Sequence, residues 1–250
     1  MSDARPVAFV TGGAGGLGSA ICAKLASDGM RVAIGYHHSA GAATHLVSSL
    51  AGAGHSVHPA PVTDTPALTS LAAAIAHDYG RCDALVNCAG ITRFVPHPDL
   101  NALDDQLIDA ILATNVRGAF AAVRAFRSLL ETSPLPGGGV VVNVSSIAAE
   151  IAMGSNIMYC ASKAALDNMT KSLARALAPR IRVVSVSPGL VDTEFVKSLD
   201  PTWREEQASR APLRRLATPQ EVAAAVAAVI TTLTCTTGSV VKVDGGRTLG

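Results

Sequence analysis

Short apolar runs alternate with stretches of helical periodicity along this chain, and that alternation constrains its fold more than any other feature. The runs fall at about 7–11, 31–36, 57–60, 83–87, 139–144, 181–187 and 239–243. The helical patterns fall at about 16–28, 40–52, 65–79, 104–132, 158–178 and 218–233. Runs such as Pro6-Val7-Ala8-Phe9-Val10 are rich enough in β-branched residues to read as buried strands. Strand–helix alternation without internal repeats predicts an α/β fold, a doubly wound parallel sheet with helices on both faces. At 250 residues the chain suffices for one such domain with a sizeable core. Nothing divides it, because Ser133-Pro134-Leu135-Pro136-Gly137-Gly138-Gly139 reads as a loop between a long helix and the fifth strand. The expected organisation is therefore a single domain, residues 1–250.

Composition excludes several function classes. Apolar residues make up 49% and aromatics only 4%, which suits alanine-rich helices on a sheet and leaves few large side chains for a binding platform. A net charge of +1 gives no electrostatic footprint for nucleic acid. Met1-Ser2-Asp3-Ala4-Arg5-Pro6 has no signal-peptide pattern, and no apolar run approaches membrane-spanning length, so a cytoplasmic protein without membrane contact is expected. The five cysteines are odd in number and lack metal spacing, which reads as reduced thiols and no metal site. Cys160 reads as a packing residue.

The first apolar run leads into Thr11-Gly12-Gly13-Ala14-Gly15-Gly16-Leu17-Gly18, then a helical pattern that ends at Asp28-Gly29, where glycine suits a C-cap. Strand, glycine turn and helix are what a dinucleotide loop needs. Small residues let backbone N–H groups approach a pyrophosphate, and the helix N-terminus adds partial positive charge. A tight turn without ligand has the same glycines. No Gly-Lys-Ser/Thr closes the loop, which excludes a P-loop.

Tyr159 and Lys163 are four residues apart, and Ser146 lies thirteen before the tyrosine. On a helix over 158–178 the phenol and the ammonium share one face. A cation beside a phenol favours phenolate and lowers a pKa of ~10, so the spacing predicts a tyrosine able to exchange protons near neutral pH. Ser146 can bring a second hydroxyl to the same oxygen. Any helix can carry such a pair by chance, and the motifs elsewhere decide the reading.

Thr-Gly-x-x-x-Gly-x-Gly, Val86-Asn87-Cys88-Ala89-Gly90, Thr114-Asn115-Val116, Ser146 with Tyr159 and Lys163, Ser187-Pro188-Gly189-Leu190-Val191-Asp192-Thr193 and Val243-Asp244-Gly245-Gly246 follow one another in order. In these motifs, over nearly its whole length, the chain resembles the short-chain dehydrogenase/reductase family, particularly its 3-oxoacyl-[acyl-carrier-protein] reductases. The resemblance implies a Rossmann-like sheet of about seven strands in the order 3-2-1-4-5-6-7, with a mobile substrate-binding insertion at about 190–216. It implies catalytic roles for Asn115, Ser146, Tyr159 and Lys163, with Asn115 holding a water that relays protons to Lys163. Its alternative is a helix-bending asparagine bonded to backbone. A nicotinamide coenzyme would be bound by Gly12, Gly15, Gly16, Leu17 and Gly18, by Tyr36, His37, Ser39 and Val62, by Asn87, Ala89 and Gly90, by Pro188, Gly189, Val191 and Thr193, and by Tyr159 and Lys163.

Departures from the family pattern bear on the coenzyme. NAD-preferring relatives carry an acid at the position of Tyr36, and none stands there. His37 occupies the place of an arginine in many NADP-preferring relatives, and Gly15 the place of a basic residue in others. NADP(H) is therefore the expected coenzyme, with NAD(H) possible. His37 and Ser39 would face the 2′-phosphate; the alternative is that both histidines of His37-His38 are solvated loop residues. Pro61 replaces an aspartate expected to meet the adenine, and Asp64 falls in the following turn.

The expected reaction is reduction of a ketone or 3-oxoacyl group, the alternatives being an oxidative secondary-alcohol or sugar-alcohol dehydrogenase and a dinucleotide-sensing regulator without chemistry. Phe94, Ile157, Leu190, Phe195 and Trp203 suggest a partly apolar small-molecule substrate, possibly an acyl thioester. The uncharged segment before strand five offers an acidic carrier protein little, although Arg180 remains available. Relatives imply a homotetramer or homodimer built through the helices at 104–132 and 158–178.

Overall fold

Val7–Thr11 forms strand β1 with every residue buried, Ala8 and Val10 packing on one face of the sheet and Phe9 on the other. The computed structural model describes residues 5–249, apart from the side chain of Phe195, so the reading of Met1–Ala4 and the placing of Phe195 in the pocket lie outside the described residues. The further strands are β2 (Arg31–Tyr36), β3 (Ser56–Pro59), β4 (Ala84–Asn87), β5 (Gly139–Val144), β6 (Ile181–Pro188) and β7 (Val240–Val243). Their order is β3-β2-β1-β4-β5-β6-β7, as expected, and every pairing is parallel. Parallel strands need crossovers, which the helices supply while burying both faces.

Helices α1 (Gly16–Ser27), α2 (Ala40–Ser49) and α10 (Pro219–Thr231) cover one face, where Ile21, Leu25, Val222 and Val226 meet Val10, Val142 and Val184. Helices α3 (Thr65–Tyr79), α5 (Ala119–Glu131) and α7 (Ile157–Leu177) cover the other, where Phe126 stacks on Phe9 at 4.6 Å. Gly29, at φ 86, closes α1 as predicted, and Asp64 caps α3 by accepting from Ala67 N at 2.9 Å. Between them stand α4 (Asp105–Leu112), α6 (Ala148–Ile151), α8 (Glu194–Lys197) and α9 (Pro201–Ser209), the last two inside the expected substrate segment.

The pattern over 104–132 is not one regular helix. Between α4 and α5 the turn Ala113–Gly118 is π-helical. The wider turn aims Asn115 inward at Ile91, and Gly118 sits where a Cβ would be 2.8 Å from Val62 Cγ2. Such turns recur at functional sites.

Arg182 of β6, 6% exposed, donates to the carbonyls of Val229 (3.0 Å), Ile230 (3.2 Å), Leu233 (3.1 Å) and Thr236 (3.4 Å). Its charge meets the negative end of α10, and burial lowers its pKa. Replacing Arg182 by Met strips these acceptors and should cost about 3 kcal/mol, since unsatisfied buried acceptors cost about 1–3 kcal/mol each where water does not reach them. Urea unfolding measures it; an unchanged midpoint would show the contacts to be neutral.

Candidate active site

Because the strands are parallel, β1, β4, β5 and β6 deliver Thr11, Asn87, Val144 and Pro188 to the same edge of the sheet. Ligands of open α/β sheets bind beyond the carboxyl ends of the strands. Thr11 ties two of these ends together: its Oγ1 accepts from Cys88 N and Ala89 N, both at 3.1 Å. The glycine loop follows. A Cβ on Gly12 would lie 2.9 Å from Ala89 Cα, and one on Gly18 only 2.3 Å from Gly12 O. Gly15 caps α1 without a side-chain bond, so the first-turn amides of Gly16, Leu17 and Gly18 face the loop. Thr193 closes over them, its Cβ 3.7 Å from where a Gly16 Cβ would stand.

The other predicted coenzyme positions gather along this edge. Tyr36 ends β2, and His37 and His38 follow as exposed rings 3.6 Å apart. Ser39 stands at the start of α2 without using its hydroxyl as a cap. Val62 is buried against Gly118. Gly189 passes so close to Asp244 that a Cβ would lie 3.1 Å from Asp244 Cα, and Val191 bridges Ala217. Asn87 uses its side chain in the sheet. Its Nδ2 donates to Asn143 Oδ1 (2.9 Å) and Ala119 O (3.3 Å), so its side chain joins β4 to β5 and α5 and only its backbone faces the strand end. Asn143 continues this polar ladder to Thr170, and Thr170 to Ser185.

Helix α7 presents Tyr159 and Lys163 to the same edge. Asn156 begins the helix, its Oδ1 accepting from Tyr159 N at 2.7 Å. Ser146 follows β5, its hydroxyl accepting from Ala148 N at 3.2 Å. Lys163 is 6% exposed; its Nζ donates to Val144 O at 2.8 Å and lies 5.7 Å from the centre of the Tyr159 ring. Burial brings its pKa down to about 8. Burial also pushes the Tyr159 phenol up, partly offset by a hydrogen bond from Ser146. This corrects the expectation drawn from spacing: the ammonium is turned to the Val144 carbonyl, and desolvation outweighs it at the phenol.

Asn115 donates from Nδ2 to Ile91 O and Ser162 Oγ, both at 3.1 Å, and accepts at Oδ1 from Ile91 N at 2.8 Å. It thus marks a helix irregularity and bonds to backbone. The same Oδ1 lies 3.3 Å, and Lys163 Nζ 3.7 Å, from the point a Gly90 Cβ would occupy. The bare Cα of Gly90 therefore leaves both groups reachable from one small volume. Of the residues expected to face the substrate, Phe94 is 75% exposed, Ile157 39% and Trp203 39%, and Leu190 is half-buried. Sequence reasoning missed Thr11 and Asn156, although an Asn just before a helical pattern is a recognisable cap signal.

Glycines whose Cβ positions strike backbone, free first-turn amides and a lysine at the ring-side edge together fit a nicotinamide dinucleotide. Fold and edge thus define a dinucleotide-dependent oxidoreductase class. A sequence family described as enoyl-(acyl carrier protein) reductase matches residues 12–248. A Streptomyces violaceoruber protein named as ketoacyl reductase 2 of the granaticin polyketide synthase is 37% identical over 246 residues, covering 98% of this chain and 96% of its own. The 3-oxoacyl-[acyl-carrier-protein] reductase FabG of Thermotoga maritima is 33% identical over 244 residues, covering 96% of each. A Burkholderia xenovorans structure described as a short-chain dehydrogenase/reductase superposes with a TM-score of 0.91 at 34% identity, covering 100% of both chains. The chain belongs to the short-chain dehydrogenase/reductase family of oxidoreductases, which use a nicotinamide nucleotide coenzyme. Among the described residues no helix is long and apolar enough to cross a membrane.

Proposed function

We propose that the chain, acting as one nucleotide-binding domain, is an NADP(H)-dependent reductase of a ketone or 3-oxoacyl group. The observation that carries this reading is the convergence of Ser146, Tyr159 and Lys163 at the coenzyme edge. When bound, the coenzyme supplies the hydride. Tyr159 delivers the proton to the substrate oxygen, and Ser146 holds that oxygen by a second hydrogen bond. Donors already in place for a developing alkoxide are worth about 3–4 kcal/mol each. Lys163 would serve the nicotinamide ribose, while Asn115 Oδ1, through its second lone pair, holds a water for proton supply to Lys163. The carboxamide rests on Thr193 and the Val191 backbone. Exposed Ile91 and Phe94 support a partly apolar substrate. A relative named D-threitol dehydrogenase, from Mycolicibacterium smegmatis and 34% identical over 249 residues, favours an oxidative reading as second choice. Exposed Leu112 and Phe120 beside a groove of about 690 Å³ on α4, α5 and α7 support a homo-oligomer.

The test is coenzyme consumption with acetoacetyl thioesters and small ketones, using NADPH and NADH in parallel. NADPH turnover is expected. Coenzyme binding without turnover of any carbonyl or alcohol would instead indicate a regulator. His37→Ala should weaken NADP and leave NAD affinity alone, because the imidazole would meet only the 2′-phosphate. Equal NADP affinity in both proteins would remove His37 from the site.

A further inference from the structure

The first turn of α7 carries a hydrogen-bonding group larger than its cap requires. Asn156 is 0% exposed, and both ends of its carboxamide are engaged. Oδ1 accepts from Tyr159 N at 2.7 Å, while Nδ2 donates to Thr92 Oγ1 at 3.1 Å and Arg93 O at 2.8 Å. Capping needs only an acceptor, which serine, threonine or aspartate provides equally. The donor half does something else: it fastens the segment 91–95 to the helix that carries Tyr159.

That segment is held from its other end by Asn115, which bonds both backbone groups of Ile91 and reaches Ser162. Ser162 Oγ in turn donates to Tyr159 O at 2.8 Å. The backbone of Tyr159 is therefore tied to the same segment twice, at its N–H through Asn156 and at its carbonyl through Ser162 and Asn115. Ser155 adds a third tie, its carbonyl accepting from Val95 N at 2.8 Å and its hydroxyl pairing with Thr92. Ile91 and Phe94, on the segment so fastened, stand exposed.

We infer that Asn156 is a positioning residue: it sets the distance between the substrate-facing segment 91–95 and the phenol of Tyr159. The inference rests on Tyr159 being the acid–base group. A catalytic geometry loosened by about 1 Å costs about 100-fold in rate, and this clamp lies one hydrogen bond from the reacting residue.

Two variants cut the same link from opposite sides. Asn156→Ser keeps a neutral cap for Tyr159 N but cannot reach Thr92 or Arg93. Thr92→Val keeps Asn156, its cap and its bond to Arg93 O, and removes the hydroxyl that accepts from Nδ2 and pairs with Ser155. In each purified full-length variant, kcat and KM for the carbonyl, coenzyme affinity by nicotinamide fluorescence and the thermal midpoint would be measured. Both should bind coenzyme within about twofold of wild type while kcat falls about 10-fold to 100-fold and KM rises, and the double variant should be little worse than either alone. A lower thermal midpoint with kcat and KM intact in both variants would overturn the proposal, leaving Asn156 a cap only. Failure of the underlying reading looks different, because then Tyr159→Phe itself would keep its turnover.

Discussion

Tyr159→Phe should bind coenzyme as wild type does and lose about 10²–10⁴-fold in turnover, the usual worth of a positioned acid–base group. The change removes one oxygen and leaves the ring in place, so loss of rate cannot be assigned to packing. Rapid-mixing turnover together with coenzyme fluorescence separates the two effects; near-normal turnover would end the acid–base assignment. The pH profile carries a second expectation. A phenol pushed up by burial stays protonated through the neutral range, so reduction should be insensitive to pH there, and alcohol oxidation, which needs phenolate, should climb toward alkaline pH. Lys163, held at about 8, is charged below that pH and neutral above it. Stability follows from the lysine with its own sign. Its folded pKa of about 8 lies below the ordinary 10.5, so the folded state binds fewer protons between these values. The cost of burying the ammonium is complete below pH 8 and diminishes as pH rises from 8 toward 10.5.

Much of this arrangement is legible in the residues, for definite reasons. Strand runs such as Val140–Val144 are buried on both faces, so their hydrophobicity is continuous and the alternation with helices stands out. Strand order is not carried by any run, because a strand's composition does not record its neighbours; the family motifs supplied it. The π-helical turn at Ala113–Gly118 escaped because its cause is tertiary: the pull of Ile91 on Asn115 and the crowding of Gly118 by Val62. The short helices α6, α8 and α9 escaped because few turns give little periodicity to read. At the site, spacing placed Tyr159 and Lys163 on one face but misjudged the phenol's pKa, since neither burial nor the Val144 carbonyl that engages the ammonium can be read from separation along a helix. The motif marks Asn87 but not the partner of its side chain, because Asn143 is its neighbour only across the sheet.

The glycine loop offers the second large effect. In Gly18→Ala the new methyl would stand 2.3 Å from Gly12 O and 2.8 Å from Gly13 Cα, both backbone atoms that cannot rotate aside. Either α1 withdraws from the loop or the loop opens, and overpacking of this kind costs about 1–3 kcal/mol. The amides that would meet the pyrophosphate move with it, so coenzyme affinity should fall by about 100-fold, two such hydrogen bonds to a charged group being worth about 3 kcal/mol together. Gly16→Ala is the local control, since its methyl meets only Thr193 at 3.7 Å, an ordinary contact. Gly41→Ala on α2 is the distant one, with nothing within 4 Å, and should stabilise the helix by about 0.5–1 kcal/mol. Calorimetric titration with NADP and NAD across the three variants orders them by loop geometry. Wild-type affinity in Gly18→Ala, with its melting temperature unchanged, would mean that the backbone contact of Gly18 with Gly12 does not shape the coenzyme site.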